Sequence, residues 1–208
     1  MLNRRHIRLK VMQSLYSYFS IETEDLAASQ KLMLKHFNEV IELKFVLISL
    51  LVELVNYADN FYEQAKKKHF PTSSDLDPNK KFIDNQIIHN IKNDSMLMKE
   101  ISKYSSFWLN NDHDILNKIF IDVNKSDLYN TYLDSNINNI DYDKKFIVDV
   151  MNQYILNHQL VHHMLEERSI YWIDDLPFMA TIFFGEIKND NNMFSKKVFK
   201  DLSDKKFA

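Results

Sequence analysis

A single glycine, Gly185, and three prolines among 208 residues leave few folds open to this chain. Turn-rich β folds depend on glycine wherever the backbone needs positive φ, in tight hairpins above all. A chain almost without it is expected to be all-α. The same scarcity removes whole functions. Phosphate-cradling loops and dinucleotide fingerprints need several glycines close together, and Gly185 alone builds neither. A nucleophile elbow is also out of reach, because that turn carries glycine on both sides of its serine. Cysteine is absent, which excludes a disulfide framework, a thiolate zinc site and a cysteine nucleophile. It also fits a reducing compartment.

Helices need a core to pack around. Hydrophobic residues make up 45% of the chain and aromatics 13%, enough for a real one. The most apolar run, Phe45 to Val55, is interrupted by Glu53 and is shorter than the roughly 20 residues of a membrane span. It reads as a buried helix of a soluble, cytoplasmic protein. The basic N-terminus is not followed by an apolar h-region or a small-residue cleavage site, so no targeting signal is expected.

Apolar residues at helical spacing predict helices over Asn3–Phe19, Asp25–Glu42 and Leu43–Lys67. The clearest break is Phe70–Pro78, FPTSSDLDP, which holds two of the three prolines. Asp77-Pro78 reads as an N-cap followed by proline at the first helical position. Amphipathic segments follow at Pro78–Lys92, Ser95–Tyr104, Asp112–Val123, Ser126–Leu133 and Asp143–Glu167, with Asn157 a candidate kink in the last. SIYWIDD leads into a final apolar helix near Asp175–Ile187. In the tail, Met193, Phe194, Val198 and Phe199 have helical spacing and suggest a loose or docked terminal helix. The organisation expected is residues 1–70, an inserted helical region at 71–168, and a C-terminal helix and tail at 169–208.

Candidate chemistry is thin. His158 and His162 share a helix face, with His163, Glu166 and Glu167 nearby, but Gln159 stands where a zincin motif needs glutamate. Exposed histidines are the plainer reading, and no metal or cofactor is expected. Asp174 and Asp175 read as capping and dipole complement at the start of the last helix. Trp108 and Trp172 read as core. Nothing in the sequence points to an enzyme.

The first helix stands apart. Arg4, Arg5 and Arg8 are three of the chain's four arginines, with His6 and Lys10 beside them. Positions three and four apart put the guanidiniums on one side. Asn3 suits an N-cap. Ile7, Val11, Leu15 and Phe19 fall four apart and read as a buried stripe on the opposite side. Cations at a helix N-terminus oppose the macrodipole at a cost of about tenths of a kcal/mol each. A bound polyanion offsets that cost. The net charge is −3, so any nucleic-acid contact must come from such a local patch. An arginine-rich helix with aromatic neighbours binds RNA through phosphate contacts and guanidinium stacking.

The pattern Arg4-Arg5-x-x-Arg8-x-x-x-x-Gln13-x-Leu15-Tyr16 resembles the opening of the NusB family of bacterial transcription antitermination factors. LLVELVNYADN, KKKHFPTSSDLDPNKKFIDN and SIYWIDDL resemble an extended subgroup with an inserted helical region. The resemblance implies a NusB-like helical bundle with an additional helical region, and non-enzymatic action in ribosomal RNA transcription. It implies three partners: boxA-type single-stranded RNA, NusE (a protein of the 30S ribosomal subunit) and the RNA polymerase elongation complex. Carried over by position, Arg4, Arg5, His6, Arg8 and Lys10 would be RNA contacts, Tyr16 would face NusE, and Leu15 would pack. The family's N-E-A-x-x-L-A-K helix and its F-V-N-G-x-L segment have no counterpart in these residues, so a shortened or reduced member is expected. The rival expectation is a helical protein-interaction module that keeps this N-terminus without binding RNA. In the first case the arginines face solvent; in the second they pair with the chain's own carboxylates.

Overall fold

The computed structural model describes residues 4–20, 25–109 and 114–189. Those residues are 82% helical with no strand among them, as a chain nearly free of glycine should be. The expected N-cap Asn3 and the tail residues Met193, Phe194, Val198 and Phe199 lie outside the described residues. No helix among the described residues is long and apolar enough to cross a membrane.

The chain forms two compact units, one from residues 1–44 and 174–208, the other from residues 45–173. This differs from the expected division at residues 70 and 168. The Phe70–Pro78 break is a real interruption of helix, but it lies within the second unit rather than between units. The polypeptide passes from one unit to the other inside continuous helices, where local composition carries no boundary signal.

The first unit contains α1 (Arg4–Ser20), the start of α2 (Leu26–Ala65) and the later part of α11 (Ile170–Lys188). Asp25 opens α2 by accepting the Ala28 N–H at 2.9 Å. The helix then runs for 40 residues, through the position where two helices were expected to meet. Glu42, Leu43 and Lys44 are good helix formers and no proline or glycine intervenes, so the hydrogen-bond ladder continues. The buried side chains of this unit include Phe37, Val40, Leu43, Leu176, Met179, Phe183 and Ile187. α11 begins earlier than expected and carries Pro177 inside it. Pro177 has no N–H to give the carbonyl four residues back, Ile173, so the α11 ladder is interrupted where the chain leaves one unit for the other.

The second unit is built from the apolar part of α2 and a run of short helices. α3 (Ser73–Leu76) opens with a capping box between Thr72 and Asp75. Asp77 is the C-cap of α3 and Pro78 is not helical, which corrects the expectation that this pair starts a helix. α4 (Gln86–Asn93) starts later because its orphan N–H groups find partners there. The Asn85 side chain accepts from Ile87, and the Asp143 carboxylate accepts from Gln86 at 2.9 Å. Next come α5 (Ser95–Ile101), a 3₁₀ turn at Ser102–Tyr104, α6 (Ser105–Leu109) and α7 (Ile115–Asn124). Ser126 and Asn139 then cap α8 (Asp127–Asp134) and α9 (Ile140–Val150). The single segment expected over Asp143–Glu167 is divided. A π turn at Met151–Ile155 ends α9, and His158 caps α10 (Gln159–Arg168), so the chain breaks beside Asn157.

Rings fill the interior of this unit. Tyr132 stacks on Phe146 at 3.7 Å, and Phe82 meets Phe146 edge-on at 5.6 Å. Trp108 is buried and donates its indole N–H to the Val46 carbonyl at 3.2 Å. Three buried polar groups of this unit bond in a chain: Asn85 Nδ2 donates to the Tyr132 hydroxyl, which donates to Asp143 at 2.6 Å. Burial pushes the Tyr132 hydroxyl well above its ordinary range, and the adjoining Asp143 carboxylate adds to that.

Candidate nucleic-acid interface

The two sides of α1 are not the two sides expected. Arg5 and Arg8 face solvent, as a phosphate-binding pair must. Neither makes an ion pair with a carboxylate among the described residues. The Arg4 backbone opens the helix, but its side chain lies outside the described part. His6 and Lys10, expected beside the arginines as RNA contacts, are buried, His6 at the edge of the groove that Arg5 and Arg8 also line. One helical turn apart, they share a face that packs inward while Arg5 and Arg8 face outward.

The reason for that inward turn is Asp175. This residue of α11 is completely buried. Its Oδ2 meets Lys10 Nζ at 2.7 Å and its Oδ1 meets His6 Nε2 at 3.1 Å. The His6 ring also stacks on Phe178 at 4.1 Å. Burial lowers the His6 pKa, Asp175 opposes that and Lys10 adds to it. Burial likewise pushes the Asp175 carboxyl up, against the hydrogen bond and charge of Lys10. Burial thus favours the neutral imidazole of His6, which lies against a carboxylate held beside Lys10. An acid and a base placed together in this way are what a low-dielectric interior tolerates.

A second ion pair, with its lysine buried and its carboxylate half-buried, lies in the same unit. Lys44 Nζ reaches Glu186 Oε1 at 2.7 Å. Burial depresses the lysine and raises the carboxyl, each opposed by the other's charge. His36 is buried too, and its pKa is lowered first by burial.

The expected apolar stripe is only partly inside. Ile7 and Val11 are half-buried, but Leu15 is 49% exposed and Phe19 73% exposed. This corrects the reading of Leu15 as packing. Met12 and Tyr16 are also open, at 60% and 76%. The outward face of α1 thus carries the arginines first and large apolar side chains after them. Tyr16, the expected partner contact, lies on that outward face.

Beside the arginines runs an open groove of about 610 Å³ between α1 and α11, lined by Arg5, Arg8, Met12, Asp174, Pro177 and Phe178 among others. Asp174 does not cap a helix start, since α11 already began at Ile170. It is exposed and accepts a hydrogen bond from Gln13 Nε2 at 3.4 Å. Asp175 was likewise read as a cap, and is instead the interior counter-charge. One signal in the sequence marks it. Trp172, Leu176 and Met179, all buried, lie three residues before, one after and four after it. A carboxylate on the apolar face of a helix calls for a buried cation.

The histidines of the second unit serve structure. His158 Nδ1 accepts the Leu160 N–H and so caps α10. His162 Nε2 lies 2.6 Å from the Leu156 carbonyl, and His163 pairs with Glu167 at 3.4 Å. No group of three or more His, Cys, Asp or Glu residues positioned for a metal occurs among the described residues. No family model, curated protein or solved structure matches the chain, so its function is argued from the site.

Proposed function

We propose that this chain is a NusB-type transcription antitermination factor. In this reading it binds boxA-type single-stranded RNA through α1 and acts with NusE and the RNA polymerase elongation complex in ribosomal RNA transcription, in the cytoplasm and without enzymatic activity. One observation carries the reading. Arg5 and Arg8 are exposed on one side of α1 and make no ion pair among the described residues, while the neighbouring Lys10 is neutralised inside. A chain of net charge −3 with two exposed guanidiniums that no carboxylate pairs among the described residues, placed against the helix dipole, has the electrostatic footprint of a phosphate-binding helix. The resemblance of Arg4-Arg5-x-x-Arg8 through Tyr16 to the NusB opening names the class of RNA and the partners.

The exposed Met12, Tyr16 and Phe19 favour a second reading, a protein-interaction module. The two combine if Tyr16 meets NusE while the arginines meet RNA. They separate in one experiment, an anisotropy titration of a short single-stranded RNA at two salt concentrations. Replacing Arg4, Arg5 and Arg8 by alanine is expected to weaken binding steeply and flatten the log–log salt slope by about 2, at about 0.7 per phosphate contact. Unchanged affinity and slope would leave only the interaction module.

A further inference from the structure

We infer that the groove between α1 and α11 is a seat for one nucleotide of a single-stranded RNA, with its phosphate on Arg5 and Arg8, its base against Met12, Pro177 and Phe178, and a donor-rich base edge, guanine foremost, on Asp174. The inference rests on the RNA-binding reading of α1 and adds to it a base-recognising element from the far end of the chain.

Three observations converge. The first is charge. The two exposed arginines line the same groove, which makes it complementary to a phosphate. The second is the wall. Met12, Pro177 and Phe178 offer apolar and aromatic surface within a groove large enough for a base. Phe178 is held by the His6 ring, which also lines the groove, stacked at 4.1 Å with the planes 15° apart. His6 is fixed in turn by Asp175. An aromatic ring that is already immobilised loses little entropy when a base stacks on it.

The third observation is the carboxylate. Asp174 is an acceptor-only group in a groove otherwise suited to an anion. It repels a second phosphate, so the backbone is confined to the arginine end. It attracts N–H groups, and single-stranded bases are read on their Watson–Crick edges. Guanine presents an imino and an amino N–H side by side and satisfies both carboxylate oxygens. Uracil presents one N–H between two carbonyls that the carboxylate repels. Adenine and cytosine offer an amino group alone on that edge.

The test uses the whole chain and uridine nonamers that carry one central guanosine, adenosine or cytidine. Binding is followed by fluorescence anisotropy across a salt series. Wild type is expected to favour the guanosine oligomer. Phe178→Leu keeps an apolar side chain against His6 but removes the stacking face, and should weaken all oligomers about tenfold. Asp174→Asn should erase the guanosine preference and, with a repulsive charge removed, bind all oligomers at least as tightly as wild type binds the uridine-only one. Neither variant loses a phosphate contact, so neither should change the salt slope. The arginine-to-alanine variants should change the slope and leave the preference in place. Loss of binding in the arginine variants with full, guanosine-indifferent binding by wild type, Phe178→Leu and Asp174→Asn overturns the seat and leaves the RNA-binding helix standing. Arginine variants that bind RNA as wild type does overturn both. Equal binding of a phosphate-free polyglutamate peptide, lost in the arginine variants, makes the groove an acidic-peptide site and also overturns the inference.

Discussion

In the unit formed by residues 45–173 the largest buried side chains are rings, Trp108, Tyr129, Tyr132, Phe82 and Phe120 among them. In the unit formed by residues 1–44 and 174–208 the deep interior holds Lys10, Lys44, His6, His36 and Asp175 beside its aliphatic residues. One unit gains stability from apolar area removed from water and from ring contacts. The other commits part of its interior to ion pairs whose desolvation cost nearly offsets their attraction. The difference teaches where each unit's information lies. Ring packing stabilises the second unit, whereas the buried Asp175 group fixes which side of α1 faces out. The second unit can therefore absorb volume-conserving change without consequence for the site, and the first cannot.

The largest expected effects test that contrast directly. Phe146→Ala removes a ring that stacks on Tyr132 and meets Phe82, and should cost about 3–5 kcal/mol in denaturant unfolding. Asp175→Ala strips the counter-charge from a buried lysine and should cost about the same, 3–5 kcal/mol. Location tells them apart. Both tryptophans, Trp108 and Trp172, lie in the second unit, so selectively excited tryptophan fluorescence reports on that unit. Phe146→Ala should lower the fluorescence midpoint, and Asp175→Ala should act first on hydrogen exchange in α1. The sharper experiment is rescue. Exchanging the whole group, His6→Leu with Lys10→Met and Asp175→Leu, should give a protein as stable as wild type or up to about 1–4 kcal/mol more so. If the triple variant stays as unstable as Asp175→Ala, the buried charges are not the cause and the contrast between units fails.

The fold class was legible because glycine scarcity is a whole-chain property that no tertiary contact overrides. The break at Phe70–Pro78 was legible because proline and clustered small polar residues act locally. Three other features were not. The continuity of α2 through Leu43 was hidden because apolar residues on all sides give no periodic cue to where one helix ends. The start of α4 at Gln86 depends on a carboxylate contributed by Asp143, 57 residues away in sequence. The inward turn of His6 and Lys10 depends on Asp175, which lies still further along the chain. Near Arg4, Arg5 and Arg8 those two side chains look like more of the same basic surface. Local spacing put Arg5 and Arg8 on one exposed side of α1 but gave no sign that His6 and Lys10 are buried, because the partner that decides the matter is remote.

A pH titration offers a smaller effect with a definite sign. Burial, its first cause in each case, holds His6, His36 and His158 below the ordinary value of 6.5. Below that pH the unfolded chain binds protons that the folded chain refuses, so stability rises with pH through the window just under 6.5. Asp175 and Glu186, raised by burial above their ordinary 3.8 and 4.5, act in the opposite sense. As pH climbs past those values the unfolded carboxyls release protons first, and stability falls. Two of the three histidines belong to the first unit. Mild acidification from neutrality should therefore raise hydrogen exchange in α1 before it moves the tryptophan-detected midpoint. His6→Gln together with His36→Gln should flatten that response. An unchanged response would place the proton uptake elsewhere.

The smallest expected effect discriminates best between the two pictures of α1. If Ile7, Val11, Leu15 and Phe19 formed a buried stripe, Leu15→Asp would put a charge in the core and cost several kcal/mol. The structure leaves Leu15 49% exposed, on the same outward side as Arg5 and Arg8. An aspartate there keeps its hydration, and surface substitutions away from special features stay within about ±0.5 kcal/mol. It also adds a negative charge to the outward face, in the later part of the helix, where the dipole disfavours it by about tenths of a kcal/mol. Unfolding should then be nearly unchanged, while RNA affinity falls modestly and more so at low salt, as a screened surface charge requires. Lys10→Met, one helical turn inward of the arginines, gives the reverse. It should leave the arginines in place but unseat the Asp175 group and destabilise the first unit. A Leu15→Asp protein that unfolds as readily as Lys10→Met would mean that α1 packs on its apolar side after all, with the charged face turned out.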